Sequence, residues 1–384
     1  MQYFHVKTDV LMEKDLAAGV VHLLDKEGSR NVLVFADEHV AQHPAVAKML
    51  SAAGEPGRKI ELRSIPSGEP TTGLVNELAG IYRGRGLDMF VAIGGGSVLD
   101  LAKAVSALIE NGGVIEDYQG TGRQLTAGVK KICVPTTAGT GCEISGAAVL
   151  INTRSAFKRG VVGPGVVPTY ALLCAELGAS LPVDLTVGCG MDAIVHAVES
   201  YVSPKANELT RLFSREAFLR LYEALPKVAE EPGNLQCREE MLLGSCLAGY
   251  AIDNASTGAA HGMSYGPGIH FHVPHGFAVA IFFPDTMEVN IRNGCHAYAE
   301  LFRSVPGVRA SGDDRQDALA FVRLMRDYGP IVRYGKTLFD YGVKGGDIDL
   351  LAKASMQNTV AYATNPGPFT IEDSYAIYHK LLGV

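Results

Sequence analysis

The first half of the chain alternates short apolar runs with stretches of helical spacing, and this alternation limits its fold more than any other feature. NVLVFAD (31–37), DMFVAIGGG (88–96), KKICVPTT (130–137) and TYALLCA (169–175) are each bounded by Gly, Pro or charged residues, as buried strands are. Between them, residues 43–53, 72–85 and 97–110 carry apolar side chains at helical spacing. Strand, helix and strand in that order predict a parallel sheet covered on both faces. From LPVDLTVGCGMDAIVHAVESYV onward the β-branched runs thin out, and 186–202, 207–229, 236–263, 315–328 and 371–382 read as helices. We therefore expect a Rossmann-like α/β domain over residues 1–180 and an all-helical domain over 181–384, with the boundary near Leu181.

Composition narrows the class of protein. A chain of 384 residues, 47% hydrophobic and 20% charged, is long enough to bury two cores and is neither disordered nor membrane-like. No apolar run approaches the roughly 18 residues that cross a bilayer, and MQYFHVKTDVLMEKD lacks the basic start and apolar centre of a signal peptide. The seven cysteines are scattered without a CxxC pair, which fits reduced thiols better than a disulfide framework or a thiolate zinc site. A cytoplasmic enzyme is the expectation. A net charge of −7 with no basic run argues against nucleic acid as a partner, so an anionic substrate would need local positive contacts.

The segment VAIGGGSVLDLAKA (91–104) passes from a strand through three glycines into a helix. Such a turn lets backbone N–H groups and the helix dipole meet a phosphate, although a tight turn without any ligand has the same sequence. Ser97 and Asp100 have capping-box spacing, which predicts a helix starting at Ser97. VPTTAGTGCEI (134–144) offers a second turn of this kind, with Thr140 and Glu143 in the same relation. Two such turns at the carboxyl edge of one parallel sheet would stand where these folds bind nucleotides. Asp37, closing the first strand, either accepts ribose hydroxyls, favouring NAD over NADP, or caps the next helix.

In the second half, Asp192 and His196 are four residues apart on a helical pattern, so both face one side, as two ligands of one ion must. AAHGMSYGPGIHFHVPHG (259–276) then places four of the eleven histidines within fifteen residues. On one unbroken helix His261 and His275 would stand about 21 Å apart, too far for a shared ion. We expect the Gly266-Pro267-Gly268 sequence to break the helix and Pro274 to open another, returning His275 towards His261. One carboxylate and three imidazoles without a thiolate suit Fe(II), Zn(II) or another divalent ion.

GGGSVLDLAK, PTTAGTGCE, GMDAIVHAVESYVSP, AGYAIDNASTGAAHG, VPHG and TNPGPFTIED together resemble the signatures of the iron-containing (group III) alcohol dehydrogenase family, over nearly the whole chain. The resemblance implies metal ligation by Asp192, His196, His261 and His275, usually of Fe(II). It also implies a dinucleotide lined by Gly94, Gly95, Gly96, Ser97, Asp100, Thr136, Thr137, Thr140 and Lys158, with Asp37 on its ribose. The reaction would be a nicotinamide-dependent interconversion of alcohol and aldehyde in a cleft between the domains, with the metal as Lewis acid. A homodimer or larger homo-oligomer is implied in the same way. A dehydroquinate-synthase-like lyase, with a related fold, NAD and a metal, is the alternative of another class.

Two positions depart from the family pattern. Many members carry a second histidine four residues beyond the ligand on the long helix, proposed to relay protons, whereas this chain has Tyr265. A phenol near pKa 10 relays protons less readily at neutral pH. Cys142 replaces the usual serine of the TGSE motif. The SY pair, HVPHG and YVSPKAN are most similar to the 4-hydroxybutyrate dehydrogenase branch, which implies 4-hydroxybutyrate and succinic semialdehyde as substrates. Other short anionic aldehydes, such as sulfoacetaldehyde or phosphonoacetaldehyde, and diols or alkanols are the alternatives. Tyr265 and His272 are the candidate catalytic groups, with His270 a further candidate for the substrate carboxylate.

Overall fold

The computed structural model describes residues 3–155, 158–332 and 334–384. It contains two compact units, Val6–Thr137 with Gly141–Leu181, and Ala138–Thr140 with Pro182–Val384 and the N-terminal residues up to His5. The first holds strands β1 (Asp9–Met12), β2 (Asn31–Asp37), β3 (Lys59–Ile65), β4 (Met89–Gly94), β5 (Lys130–Pro135), β6 (Ala147–Ile151), β7 (Lys158–Val162) and β8 (Tyr170–Leu173). Its helices are α1 (Leu16–Glu27), α2 (Pro44–Ala53), α3 (Thr72–Tyr82) and α4 (Gly96–Asn111). Six strands form one parallel sheet in the order β1-β8-β5-β4-β2-β3, and β6 and β7 pair as an antiparallel hairpin.

The period of two along β2 and β4 explains why both read as continuous apolar runs. Leu33, Phe35, Phe90 and Ala92 pack on the α3 and α4 side, while Val32, Val34, Ala36, Met89, Val91 and Ile93 face α1 and α2. Edge strands β1 and β3 carry mostly exposed or half-exposed residues, so they lack the apolar run that marks the central strands. The strand order reverses between β2 and β4, the switch point at which open α/β sheets bind ligands.

The expected capping boxes are absent from both glycine turns. Helix α4 starts at Gly96 behind Gly95, without a side-chain cap. Asp100 is buried instead, accepting from Lys103 Nζ at 3.1 Å and Val149 N at 2.9 Å, because the buried ammonium requires a counter-charge. After β5 the chain runs through 136–146 without forming a helix, and Glu143 is buried rather than capping one.

The second unit has no strand among its described residues and consists of helices joined by loops: α5 (Val183–Val202), α6 (Glu208–Glu230), α7 (Leu235–Ala255), α8 (Ala259–Phe271), α9 (His275–Arg292), α10 (Tyr298–Ser304), α11 (Asp314–Ile331), α12 (Ile348–Ser355), α13 (Thr359–Ala363) and α14 (Ile371–Leu382). One core joins α5, α6, α7, α9, α10 and α11, and another joins α8, α9, α12 and α14. Among the described residues no helix is long and apolar enough to cross a membrane.

Two helix boundaries correct the expectations. The 236–263 pattern is two helices, interrupted where Ser256 takes φ 64°, so His261 lies in the first turn of α8 rather than at the end of a long helix. The Gly-Pro-Gly sequence does not break α8, which continues through Pro267 to Phe271. Proline frees the carbonyl four residues earlier, and here the Ser355 hydroxyl donates to Met263 O at 3.1 Å and Tyr378 OH at 3.4 Å, replacing the lost bond. The break falls at His272, left-handed at φ 53°, after which Pro274 leads into α9 as expected.

Candidate functional site

Helix α5 presents Asp192, His196 and Glu199 at spacings of four and three residues, on one buried face. Around Asp192 Oδ1 stand three imidazole Nε2 atoms: His261 at 3.4 Å, His275 at 3.6 Å and His196 at 3.9 Å. Asp192, His261 and His275 each offer a ligand atom within 4.8 Å of the other two. The His196 and His261 rings stack with centroids 4.5 Å apart. The side chain of His275 is 46% exposed while the others are buried, so the cluster is accessible from that side.

Neighbouring groups aim the rings. Gly139 O accepts from His196 Nδ1 at 3.2 Å, and Glu199 Oε2 accepts from His261 Nδ1 at 2.6 Å. A carbonyl and a carboxylate can only accept, so Nδ1 carries the proton in each case and Nε2 is directed at the centre. Gly276 lets α9 approach α5: a Cβ there would lie 2.0 Å from Gly188 O. That approach brings His275, the first residue of α9, to Asp192.

The electrostatics call for a cation. Burial opposes ionisation of Asp192, but His196, His275 and His261 outweigh it and hold its carboxyl well below the usual range. Burial also opposes a charge on His261, yet Glu199 and Asp192 raise its pKa to about 9. At His196 burial wins over the attraction of Asp192 and the pKa falls, leaving a neutral ring. Two carboxylates thus demand positive charge among the rings, supplied by a proton or a metal ion. Asp192 Oδ1 and His261 Nε2 are buried without a hydrogen bond, the arrangement expected of atoms that bind an ion. The donor set fits a divalent first-row metal.

The candidate dinucleotide residues fall into two groups. Asp37 ends β2 and Gly94 ends β4, so they flank the switch point, and Thr136 N donates to Gly94 O at 3.0 Å. A Cβ on Gly94 would stand 2.8 Å from Val98 Cβ, so only glycine allows this tight entry into α4. The α4 N-terminus has no side-chain cap and no acidic residue in its first turn, which leaves Gly96, Ser97 and Gly95 arranged to meet an anion with backbone N–H groups. Asp37 Oδ1 already accepts from His39 N at 2.9 Å. Asp100 lies in the interior with both oxygens engaged, away from this edge. Lys158 starts β7 and its ammonium bonds Glu69 at 2.9 Å, while Thr137 adjoins Gly95 and Thr140 belongs to the helical unit.

Tyr265 lies one turn beyond His261 on α8 and is half-buried; His270 and His272 are exposed at the end of that helix. Glu199 was not among the sequence candidates. Its signal is the seven-residue spacing from Asp192, two turns along the same face of α5.

Both halves of the chain match family models: iron-containing alcohol dehydrogenase over residues 7–174, and the C-terminal domain of the Fe-containing alcohol dehydrogenase family over 186–382. The chain is 31% identical over 351 residues to the probable alcohol dehydrogenase EutG of Escherichia coli K12, covering 91% of this chain and 87% of that protein. It is 29% identical over 363 residues to the NAD-dependent methanol dehydrogenase of Bacillus methanolicus, covering 94% of each. A crystal structure of 1,3-propanediol oxidoreductase matches with a TM-score of 0.93 at 26% identity, over 99% of this chain and all of that one. These matches set aside the lyase alternative: the chain belongs to the iron-containing alcohol dehydrogenase family.

Proposed function

We propose that this protein is a metal-dependent, NAD(H)-linked alcohol dehydrogenase or aldehyde reductase whose substrate is a short aldehyde with an anionic tail, first of all succinic semialdehyde with 4-hydroxybutyrate as its alcohol. The observation that carries the reaction class is the convergence of three imidazole Nε2 atoms on Asp192 Oδ1, with that oxygen and His261 Nε2 buried and unbonded. Asp192, His196, His261 and His275 would hold the metal. When bound, a divalent ion supplies Lewis acidity towards an alcohol or aldehyde oxygen, and the nicotinamide supplies or accepts the hydride.

The chain's own residues do the rest. Gly139 O and Glu199 fix the Nδ1 protons of His196 and His261, so neither ring rotates out of register. The uncapped first turn of α4 suits a pyrophosphate, and Asp37 suits unmodified ribose hydroxyls, which supports NAD over NADP. Tyr265, one turn from His261, is the hydroxyl we assign to exchanging a proton with the substrate oxygen. His270 and His272 are the candidate donors for the anionic tail. The choice of 4-hydroxybutyrate rests on the SY, HVPHG and YVSPKAN segments. That the seven cysteines form no disulfide supports a reducing compartment such as the cytoplasm. A homo-oligomer remains the expectation.

The test is a panel of succinic semialdehyde, sulfoacetaldehyde, phosphonoacetaldehyde and short alkanals, each with NADH and NADPH, after loading with Fe(II) or Zn(II). We expect the highest kcat/KM for succinic semialdehyde with NADH. Faster turnover of uncharged alkanals overturns the anionic-tail assignment, and full activity after chelation overturns the metal mechanism.

A further inference from the structure

Glu199 does not face the centre of the histidine cluster, and the TNPG segment (364–367) has no task in the reading above. Both meet the N-terminus of α8. Gly258 N donates to Glu199 Oε2 at 2.7 Å, Ala260 N to Glu199 Oε1 at 2.7 Å, and Ala259 N to Asn365 Oδ1 at 3.1 Å. Three successive helix-end donors are thus taken up by buried side chains from elsewhere, because Gly258 at the cap position has no side chain of its own. Asn365 is itself fixed by a reciprocal amide pair with Asn290 of α9, at 3.1 and 2.6 Å. The Thr364 hydroxyl ties the same segment to Thr257 O at 2.7 Å. His261 is the third residue of α8, and its ring meets the same Glu199 Oε2 that caps Gly258.

We infer that Glu199 is a positioning residue for the metal centre, one carboxylate fixing at once where α8 begins and how the His261 ring is turned. Asn365 holds the same helix end without touching the ring, so it serves as a control for capping alone. The inference rests on the metal reading above, and the experiment separates the two.

Metal-free wild-type, Glu199→Gln and Asn365→Ala proteins are titrated with Co(II) in competition with a chelator, and their melting temperatures are measured without metal. Both variants should melt below wild type. Glu199→Gln should bind Co(II) about 10- to 100-fold more weakly, the usual effect of losing a partner that orients a ligand. Asn365→Ala should stay within threefold of wild type. Glu199→Gln affinity within threefold of wild type, or equal losses in both variants, reduces Glu199 to a helix cap and overturns the inference alone. No Co(II) binding by the wild-type protein overturns the metal reading and this inference with it.

Discussion

Gly276→Ala tests whether close packing of α9 on α5 is what builds the site. A Cβ at this position stands 2.0 Å from Gly188 O and 2.6 Å from Gly188 C, whereas ordinary contact begins at 3.4 Å. The obstacle is backbone in the second turn of α5, so α9 has to give way by about 1.4 Å, the difference between 3.4 and 2.0 Å. Metal–ligand distances tolerate only about 0.2 Å. Even half of that displacement would carry His275 Nε2 away from its place 3.6 Å from Asp192 Oδ1. The energetic cost is milder: overpacking costs about 1–3 kcal/mol, offset by up to about 1 kcal/mol from alanine's better helix propensity. The variant should therefore stay folded, with a modestly lower melting temperature, yet lose Co(II) affinity and turnover by at least tenfold. Gly268→Ala in α8 is the matched control, since its nearest non-local neighbour is Val273 O at 3.9 Å, and it should match wild type in both. Gly276→Ala binding Co(II) within threefold of wild type would refute the reasoning.

The same geometry yields further expectations. His275→Ala should abolish Co(II) binding and turnover together, whereas His270→Ala should change mainly KM, since His270 is exposed beyond the cluster; equal metal loss in both would reassign the ligands. Glu143 is buried and burial raises its pKa from the ordinary 4.5 to about 7, so the folded state holds its proton more tightly than the unfolded state does. Stability is then fully present below about pH 4.5 and declines as pH rises through 7. Glu143→Gln should accordingly stabilise the protein by on the order of 3 kcal/mol at pH 8 and leave it unchanged at pH 4, read from urea unfolding at each pH. An equal gain at both values would mean that packing, not ionisation, is responsible. Lys103 Nζ bonds Asp100, Cys142 O, Ser145 Oγ and Ala147 O, so Lys103→Met strands a buried carboxylate and should cost about 3–5 kcal/mol. An unchanged urea midpoint would show that Asp100 is not dependent on this partner.

The parts of the molecule legible in the sequence are those whose signals are local. Strand β2 coincides with the apolar run 31–37 because a central parallel strand is buried on both faces and needs no partner to be recognised. Strands β1 and β3 leave no such signal because edge strands are half-exposed, whereas Pro274 marks the start of α9 but not its extent. The errors at α8 share a cause. Proline and glycine argued for a break at 266–268, but two hydroxyls from α12 and α14 satisfy the carbonyl that Pro267 frees, so tertiary contacts override the local rule. Asp100 shows the converse, since its capping-box spacing is real but the buried Lys103, three residues further on, takes the carboxylate. The pairing of Asp192 with His196 was readable from helical spacing alone; Glu199 lay on the same stripe, but its partner is on another helix.

Charge explains why the site needs two carboxylates when only one faces the centre. His261 and His275 stand in the first turns of α8 and α9, and each helix N-terminus carries roughly +0.5 of an elementary charge, which repels a cation. Three neutral imidazoles add nothing to offset it. Asp192 alone would cancel the two helix ends and leave a neutral pocket, with no net attraction for the ion. Glu199, accepting directly from Gly258 and Ala260 at the α8 end, tips the balance to about −1. With a divalent ion held there, the pocket would stand near +1 and would favour an anionic substrate oxygen. Neutralising Glu199 should therefore weaken metal binding through charge as well as through ring orientation, and its difference from wild type should persist at high salt, because this position is buried where mobile ions do not screen it.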